Sequence, residues 1–438
     1  MRVLNVVPGS GGTFYCENCL RDSVSVQALR RRGLDAVIVP MYLPMYHDDP
    51  ALTRDAPVFF GGINVYLQQR FRWFRSAPGW VRKALDSRWV LKLAARADGT
   101  TAPYGLGEMT LSMIRGEQGN QAGELERLVS WMASDVKPDV VHLSSIMLIG
   151  LAARVKSAVG CPVVCTLQDE DTWMDELDPP YDQRCWDEMR ERSGIVDAFI
   201  AVSDHYGELM RGRLGLPAEK MRTVSIGMKI EDYPAATPDA AAPVMGYLSK
   251  LTPSLGLDRF VEAFVALKNR PGLERLRMKA TGGLVGRDRA FVGRLKRRLA
   301  RLGMAGDAEF IEEMDRDTRL GFLKSLSVLC VPMPQGEAFG TFMIEAWACG
   351  VPVVQPDAGA FPEIVGRTGG GIIYDPSDPA EPERSLETLL SDPARARELG
   401  MLGREGALRH FTTEKMAEEL EAVYRDVTGG RGRAGGVG

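Results

Sequence analysis

The sequence predicts a two-domain α/β protein built on parallel sheets. Short apolar runs alternate with helix-like segments, beginning with strands at residues 2–7 and 34–40 around a helix at about 18–32. The chain has 438 residues, which is more than one ordinary hydrophobic core accommodates. Residues 234–243 are rich in Pro and Ala and lack apolar periodicity, so we expect a linker there.

Composition excludes several classes of protein. Hydrophobic residues make up 45% of the chain and charged residues 26%, as in soluble globular proteins. A net charge of −4 gives no bulk attraction to nucleic acid, and no apolar run is long enough to span a bilayer. The start reads as a strand and a glycine turn, not as a signal peptide. Seven cysteines, an odd number, favour a reduced, cytoplasmic protein.

The first strand is followed by a glycine turn at residues 9–12, which lets a phosphate approach the backbone. Alone this is a weak signal. A dinucleotide-binding enzyme needs an acid at the end of the second strand to hold the ribose, and this chain has Pro40, Met41 and Tyr42 there. The sequence therefore argues against an NAD-dependent oxidoreductase.

Residues 331–355 carry the strongest functional pattern, a strand, a loop, a helix and a second strand. We expect Thr341 to cap this helix, which should run to about Cys349. Two carboxylates stand at the mouth of that helix, Glu337 in the loop and Glu345 about one turn into the helix. Because a helix N-terminus presents bare N–H groups and a partial positive charge, it suits an anion such as a diphosphate. The carboxylates beside it would accept hydrogen bonds from sugar hydroxyls, although such a pair alone is more often a turn residue and a solvated helix residue.

The pattern extends well beyond the pair. The run E-A-F-G-T-F-M-I-E-A-W-A-C-G-V-P-V-V, with G-A-F-P-E-I-V at 359–365 and T-G-G-G at 368–371, resembles the E-x7-E region of retaining glycosyltransferases of family 4. The resemblance implies the GT-B architecture, two Rossmann-like doubly wound domains facing each other across a cleft. It also implies retaining, metal-independent transfer of a sugar from a nucleotide diphosphate sugar, with no further cofactor.

The same resemblance divides the chain. It implies an acceptor-side domain at 1–233, the linker at 234–243, a donor-binding domain at 244–410 and a terminal helix at 411–427 that crosses back to the first domain. The Gly- and Arg-rich residues 428–438 are expected to be a disordered tail.

The family's motif also implies roles for individual residues. Glu337 would contact the donor sugar and Glu345 the ribose, while a glycine turn in the first domain approaches the donor. The further donor-binding positions implied by the match are Gly11, Gly12, Lys250 and the backbone amides of Gly340, Thr341 and Phe342.

Two positions depart from the family's pattern. The family commonly has an Arg and, five residues later, a Lys on the donor diphosphate; Lys250 takes the first position and Leu255 the second, so one cation of two remains. Gln168 stands where family members often carry a His at the donor sugar. Its amide can hydrogen-bond a hydroxyl but cannot take a proton at neutral pH, and we expect Gln168 to serve in the catalytic site.

Three other patterns favour simpler interpretations. Asp169, Glu170 and Asp171 superficially match a metal-binding D-x-D, but the E-x7-E unit indicates the glycosyltransferase fold that needs no such metal. The C-x-x-C at 16–19 has no second pair nearby, as a structural zinc site would require. His142, at the end of a predicted strand, resembles a cleft histidine of the family, yet a lone His there is more often structural.

The acceptor region is expected at residues 64–92, where seven cations and one acid give a net charge of +6 among interleaved aromatic residues. Arg70, Trp73 and Arg75 are the candidate acceptor residues. The acceptor would be a saccharide or a lipid-linked molecule, and this mixture suits contact with an anionic membrane surface. An anionic soluble acceptor, or an insertion with a solvated arginine face, explains it equally simply.

Two alternatives to the transferase stay open on the sequence. A GT-B nucleotide-sugar epimerase would act on the donor without an acceptor. A catalytically degenerate sugar-nucleotide-binding protein, suggested by Leu255 and Gln168, would bind nucleotide without transfer.

Overall fold

The computed structural model describes residues 1–8, 17–41, 105–284, 286–312 and 315–429, and for residues 17–20 and 287 the backbone alone. The predicted acceptor region at 64–92, with Arg70, Trp73 and Arg75, lies outside these residues. So do Gly11, Gly12, Cys16 and the tail from residue 430. The chain divides into two compact units, Met1–Ser225 with the segment from Thr413 onward (unit 1), and Ile226–Thr412 (unit 2).

Unit 1 is built on a parallel sheet in which six strands are described, in the order β2-β1-β3-β4-β5-β6. The strands are β1 (Arg2–Val7), β2 (Asp35–Pro40), β3 (Val140–Leu143), β4 (Val163–Leu167), β5 (Ala198–Ala201) and β6 (Met221–Thr223). All of β3, β4 and β5 is buried, because helices cover both faces of a parallel sheet. This is why these strands read as continuous apolar runs.

Along the chain, one or two described α-helices separate each pair of successive strands of unit 1, and one more lies near the C-terminus. They are α1 (Glu17–Arg31), α2 (Gly107–Ile114), α3 (Ala122–Trp131), α4 (Ala152–Ala158), α5 (Glu170–Asp175), α6 (Tyr181–Ser193), α7 (Asp204–Leu214) and, near the C-terminus, α15 (Thr413–Val427).

Helix α15 belongs to the core of unit 1. Its apolar side packs Met416, Leu420 and Tyr424 into one cluster with α1 and the first strands. An ion pair at the edge supports the same packing, since Arg32, the residue after α1, pairs with Glu421 at 2.7 Å. The last helix is thus part of the first unit's hydrophobic core.

Unit 2 repeats the plan with a parallel sheet of six described strands in the order β12-β11-β10-β7-β8-β9. The strands are β7 (Val244–Leu248), β8 (Arg277–Thr281), β9 (Ala308–Ile311), β10 (Val328–Cys330), β11 (Val353–Pro356) and β12 (Gly371–Tyr374). The helices are α8 (Leu257–Lys268), α9 (Arg289–Arg301), α10 (Arg316–Lys324), α11 (Thr341–Ala348), α12 (Phe361–Thr368), α13 (Glu381–Leu390) and α14 (Pro393–His410).

The two parallel sheets with flanking helices confirm the predicted α/β class with two Rossmann-like units. Two details differ from the expectation. The division falls between Ser225 and Ile226, and residues 234–243 lie with unit 2, where the N–H of Ala236 bonds the carbonyl of Cys349. Gly340, in a left-handed conformation, takes the N-cap position expected of Thr341, which is the first helical residue.

Among the described strands, the order in each sheet reverses at one position. In unit 1 it lies between β1 and β3, and in unit 2 between β7 and β10. Open α/β sheets bind ligands at the carboxyl ends of the strands at such a point, because the loops there diverge to opposite faces. The fold alone therefore predicts a ligand site in two loop clusters, one at the carboxyl edge of each sheet.

Candidate functional site

In unit 2 the loops that follow β7 and β10 pack directly against each other. Gly256 has φ of +81°, and a Cβ atom there would lie 2.2 Å from the carbonyl oxygen of Pro332. Gly282, at the end of β8, comes similarly close to the carbonyl of Ser249. These contacts between backbones leave no room for side chains, so the glycines bring the loops together at the carboxyl edge of the sheet.

A tyrosine at the end of β7 shapes the loop that carries Lys250. The hydroxyl of Tyr247 lies 3.0 Å from the carbonyl oxygen of Lys250 and 3.2 Å from that of Leu255. The predicted donor-binding cation, Lys250, is exposed on this loop, and Leu255 is half-buried. The buried side chain of Tyr247 thus contacts the backbone at both Lys250 and Leu255, the two positions at which the resemblance implies a cation.

Glu337 lies on the neighbouring loop after β10 and is half-buried. Its backbone is fixed, since its carbonyl accepts a hydrogen bond of 2.9 Å from the N–H of Ala360 and a Cβ on Gly359 would meet it at 2.6 Å. Burial, and then the charge of Glu337, raise the pKa of Tyr247 well above its usual value. Glu337 therefore lies near the tyrosine whose hydroxyl contacts the Lys250 loop.

Helix α11 begins at Thr341, at the end of the loop that follows β10 and contains Glu337. All eight of its residues are buried, and the ring of Phe342 packs edge-on against Phe361 with centroids 5.8 Å apart. The first N–H groups of a helix have no partner within the helix, which makes its start a place for an anion. The amides of Gly340, Thr341 and Phe342 stand at that start, at the carboxyl edge of the sheet where the sequence predicts a diphosphate.

Glu345, the second glutamate of the motif, lies in a more enclosed place than expected. Its side chain has no exposed surface, and its Oε1 lies 2.9 Å from the Nε of Arg319 on α10. The hydroxyl of Tyr233 donates to the same oxygen at 2.9 Å. Glu345 is therefore part of a buried ion pair, and its contact with a ribose stays a prediction.

In unit 1, His142 at the end of β3 is structural. Its Nε2 lies 2.6 Å from the Oγ1 of Thr166, and its Nδ1 lies 2.7 Å from the hydroxyl of Tyr424 on α15. Burial, followed by the positive charge of Arg21, lowers the pKa of His142 to about 3. A ring that stays neutral and has both nitrogens bonded fits the simpler interpretation made from the sequence.

Gln168, one residue beyond the end of β4, lies in a buried polar cluster with Arg21, Asp22 and Ser144. Its Nε2 donates to the carbonyl of Ser144 at 3.0 Å, and its Oε1 accepts from Arg21. Arg21 also forms an ion pair with Asp22, and both side chains are more than nine-tenths buried. Sequence reasoning missed Arg21 and Asp22; the available signal was two adjacent charges in a helix that lies between buried strands.

The acids that follow Gln168 are engaged in local structure. Glu170 accepts hydrogen bonds from the backbone N–H groups of Gln168 and Ile146, and burial raises its pKa to about 8. The hydroxyl of Tyr206 donates to Asp171 at 2.9 Å. Within the described parts of the chain, no group of three or more His, Cys, Asp or Glu residues could hold a metal ion.

Comparison with known proteins gives the family. Residues 24–227 match the family model described as "Glycosyl transferase 4-like domain", and residues 230–406 match "Glycosyl transferases group 1". Together the two matches extend over most of the chain, and their junction falls close to the division between the two units.

Curated relatives and solved structures agree with this. A D-inositol 3-phosphate glycosyltransferase of Streptomyces bingchenggensis is 28% identical over 54% of this chain and 54% of its own length. An alpha-maltose-1-phosphate synthase of Mycolicibacterium smegmatis is 28% identical over 66% and 79% respectively. The chain thus aligns with about half of the length of the first of these relatives.

Among solved structures, sucrose-phosphate synthase of Thermosynechococcus elongatus superposes with a TM-score of 0.70 at 16% identity, covering 98% of this chain and 100% of that one. HepE of Anabaena, solved with UDP, superposes with a TM-score of 0.67 at 16% identity, covering 97% of this chain and 100% of HepE.

No helix in the described residues is both long and apolar enough to cross a membrane. The chain belongs to the family 4 glycosyltransferases of the GT-B fold.

Proposed function

We propose that this glycosyltransferase moves a sugar from a nucleotide diphosphate sugar to an acceptor hydroxyl with retention of configuration and without a metal. One observation carries the proposal: the loops after β7 and β10 bring Lys250, Glu337 and the start of α11 to one edge of the unit 2 sheet. A cation, a carboxylate and the N–H groups at the start of a helix suit a diphosphate joined to a sugar. Structural neighbours solved with UDP and with UDP-glucose support this choice of donor class.

The roles follow from the chemistry of each group. The N–H groups of Gly340, Thr341 and Phe342, with Lys250, would stabilise the charge that develops on the leaving diphosphate. Glu337 would accept hydrogen bonds from the donor sugar, and Gln168 would donate one to it. Gly11 and Gly12 are further proposed donor-binding residues.

Retention follows if the leaving group itself assists the attack. The bond between the anomeric carbon and the diphosphate oxygen breaks, and the acceptor oxygen bonds the same carbon on the same face. The acceptor's proton passes to the departing phosphate oxygen, so this path requires no protein nucleophile. Catalysis then rests on fixed dipoles and charges that face the developing negative charge.

The acceptor is a saccharide or a lipid-linked molecule, or a small anionic molecule. Inositol 3-phosphate is the first candidate, because the relative from Streptomyces bingchenggensis is named a D-inositol 3-phosphate glycosyltransferase. The lipid-linked alternative rests on residues 64–92, with Arg70, Trp73 and Arg75, and includes contact of that segment with a membrane surface.

A donor panel tests the proposal. UDP-, GDP- and ADP-sugars are added to the protein in buffer containing EDTA, and the thermal midpoint is recorded, because a ligand of the folded state must raise it. We expect one nucleotide class to stabilise the wild type, and Glu337→Gln to keep that stabilisation while losing turnover. A panel without any stabilising nucleotide, or stabilisation that needs a divalent cation, would contradict the proposal.

A further inference from the structure

The side-chain amide of Gln168 has its two ends held by groups of opposite chemistry. On one side stands the carbonyl oxygen of Ser144, 3.0 Å from Nε2, and on the other the guanidinium of Arg21. A carbonyl oxygen only accepts hydrogen bonds and a guanidinium only donates them. These neighbours therefore allow one amide orientation, with the nitrogen toward Ser144 and the oxygen toward Arg21.

Arg21 is itself held in place. Its Nε donates to Oδ1 of Asp22 at 3.0 Å, and the side chains of the pair are 8% and 7% exposed. A second bond runs from its Nη2 to the carbonyl of Ser144 at 3.4 Å. Because a guanidinium has N–H donors and no acceptor, Arg21 can only donate to the amide oxygen.

The backbone beneath Gln168 is fixed as well. Glu170 receives the N–H of Gln168 on one carboxyl oxygen and the N–H of Ile146, at 3.3 Å, on the other. This carboxyl therefore ties the loop after β4 to the loop after β3. Gln168 is held by its main chain and by both ends of its side chain.

We infer that Arg21 is a positioning residue of the transfer reaction, which turns the amide of Gln168 so that its second amide hydrogen meets the substrate. This inference rests on the proposed contact between Gln168 and the donor sugar. The group recognised is then a hydroxyl oxygen acting as acceptor. Unlike the histidine that the family often has here, an amide keeps this donor at every pH near neutrality.

The first test uses the protein without substrate, so it does not depend on the proposed function. In protein labelled with ¹⁵N-glutamine, the side-chain resonance of Gln168 is assigned by its loss in Gln168→Ala. We expect Arg21→Met to shift this resonance and speed its exchange with water. Arg30→Met is the matched control on the same helix, because Arg30 bonds the carbonyl of Ala36 at 2.7 Å. A Gln168 resonance that does not change in Arg21→Met would overturn the inference.

The second test is a double-mutant cycle on turnover. We expect Arg21→Met to lower kcat about tenfold with little change in KM for the donor, and Arg21→Lys to recover part of the loss. Gln168→Ala should cause a similar loss, and Arg21→Met should add nothing further in that background. Losses that multiply would show that Arg21 acts independently of Gln168 and would refute the inference.

Folding is controlled separately. Arg21→Met leaves Asp22 buried without its cation, so Arg21→Met/Asp22→Asn is made as a second variant that removes the charge as well. The same shift of the Gln168 resonance and the same loss of kcat are expected from it. A wild-type protein that transfers no sugar would refute the proposed function. The Gln168 resonance in Arg21→Met tests the contact between Arg21 and Gln168 independently of that result.

Discussion

Removing Arg319 should destabilise unit 2 far more than removing its neighbour Arg316. Both arginines belong to α10 and both pair with a carboxylate, so the two substitutions to Met differ mainly in burial. The Arg319–Glu345 pair has side chains 11% and 0% exposed, whereas the Arg316–Asp232 pair has side chains 55% and 52% exposed.

The magnitude follows from what each substitution leaves behind. Arg319→Met leaves Glu345 buried without the cation that pairs with it, and an uncompensated buried charge of this kind costs about 3–5 kcal/mol. An exposed pair contributes about 0–1 kcal/mol, so Arg316→Met should hardly matter. The expected difference between the two variants is about 3 kcal/mol in the free energy of unfolding of unit 2.

The assay is urea denaturation of both variants and the wild type, followed by fluorescence and by circular dichroism to separate the transitions of the two units. The double variant Arg319→Met/Glu345→Leu is measured as well. Because both partners of the ion pair are then apolar, this variant should recover most of the stability that Arg319→Met loses. Equal midpoints for Arg319→Met and Arg316→Met would refute the reasoning that Glu345 is a charged, buried partner.

Three further predictions concern other parts of the molecule. Gly256→Ala should weaken binding of the donor and lower stability by more than about 2 kcal/mol, because its Cβ would lie 2.2 Å from the carbonyl oxygen of Pro332. Gly272→Ala, at a residue with φ of +87° and no atom within 4 Å, should cost only about 1–2 kcal/mol. Similar losses of stability in thermal melts of the two variants would contradict this. The pKa of Glu170 is raised from 4.5 to about 8, so its contribution to stability is fully present below about pH 4.5 and is lost as pH rises through 8. Glu170→Gln should therefore gain stability relative to the wild type, by a few kcal/mol, between pH 5 and pH 8.5, and a difference that stays constant in urea titrations across that range would refute it. Leu255→Lys, which restores the family's second cation, should tighten binding of diphosphate donors several-fold in calorimetry, and unchanged or weaker binding would mean that Leu255 is needed for packing.

The sequence predicted those parts of the fold that local patterns determine. Buried parallel strands read as apolar runs, so β1 was expected at residues 2–7 and is found at Arg2–Val7. Helix α11 was expected from Thr341 to about Cys349 and spans Thr341–Ala348, because a glycine and a proline beyond it end the pattern.

What the sequence did not predict depends on contacts between distant positions. The partners of Glu345 come from residues 233 and 319, and those of Gln168 from residues 21 and 144. Only the folded chain brings such residues together, and a charged residue in a helix does not by itself show which distant carboxylate or amide it will contact. For this reason Arg319 and Arg21 appear only in the structure, while Lys250, Glu337 and the start of α11 were expected from the motif.

The most direct test of the central claim is ¹H NMR of the anomeric proton during turnover. The nucleotide sugar selected by the donor panel is mixed with wild-type protein, EDTA and an acceptor panel that includes inositol 3-phosphate, and spectra are collected before the sugars mutarotate. We predict that an α-linked donor gives an α-linked product together with the free nucleoside diphosphate, and that Glu337→Gln abolishes this signal while still binding the nucleotide. A β-linked first product, an epimerised donor formed without acceptor, or the absence of any transfer from a donor that binds would contradict the account.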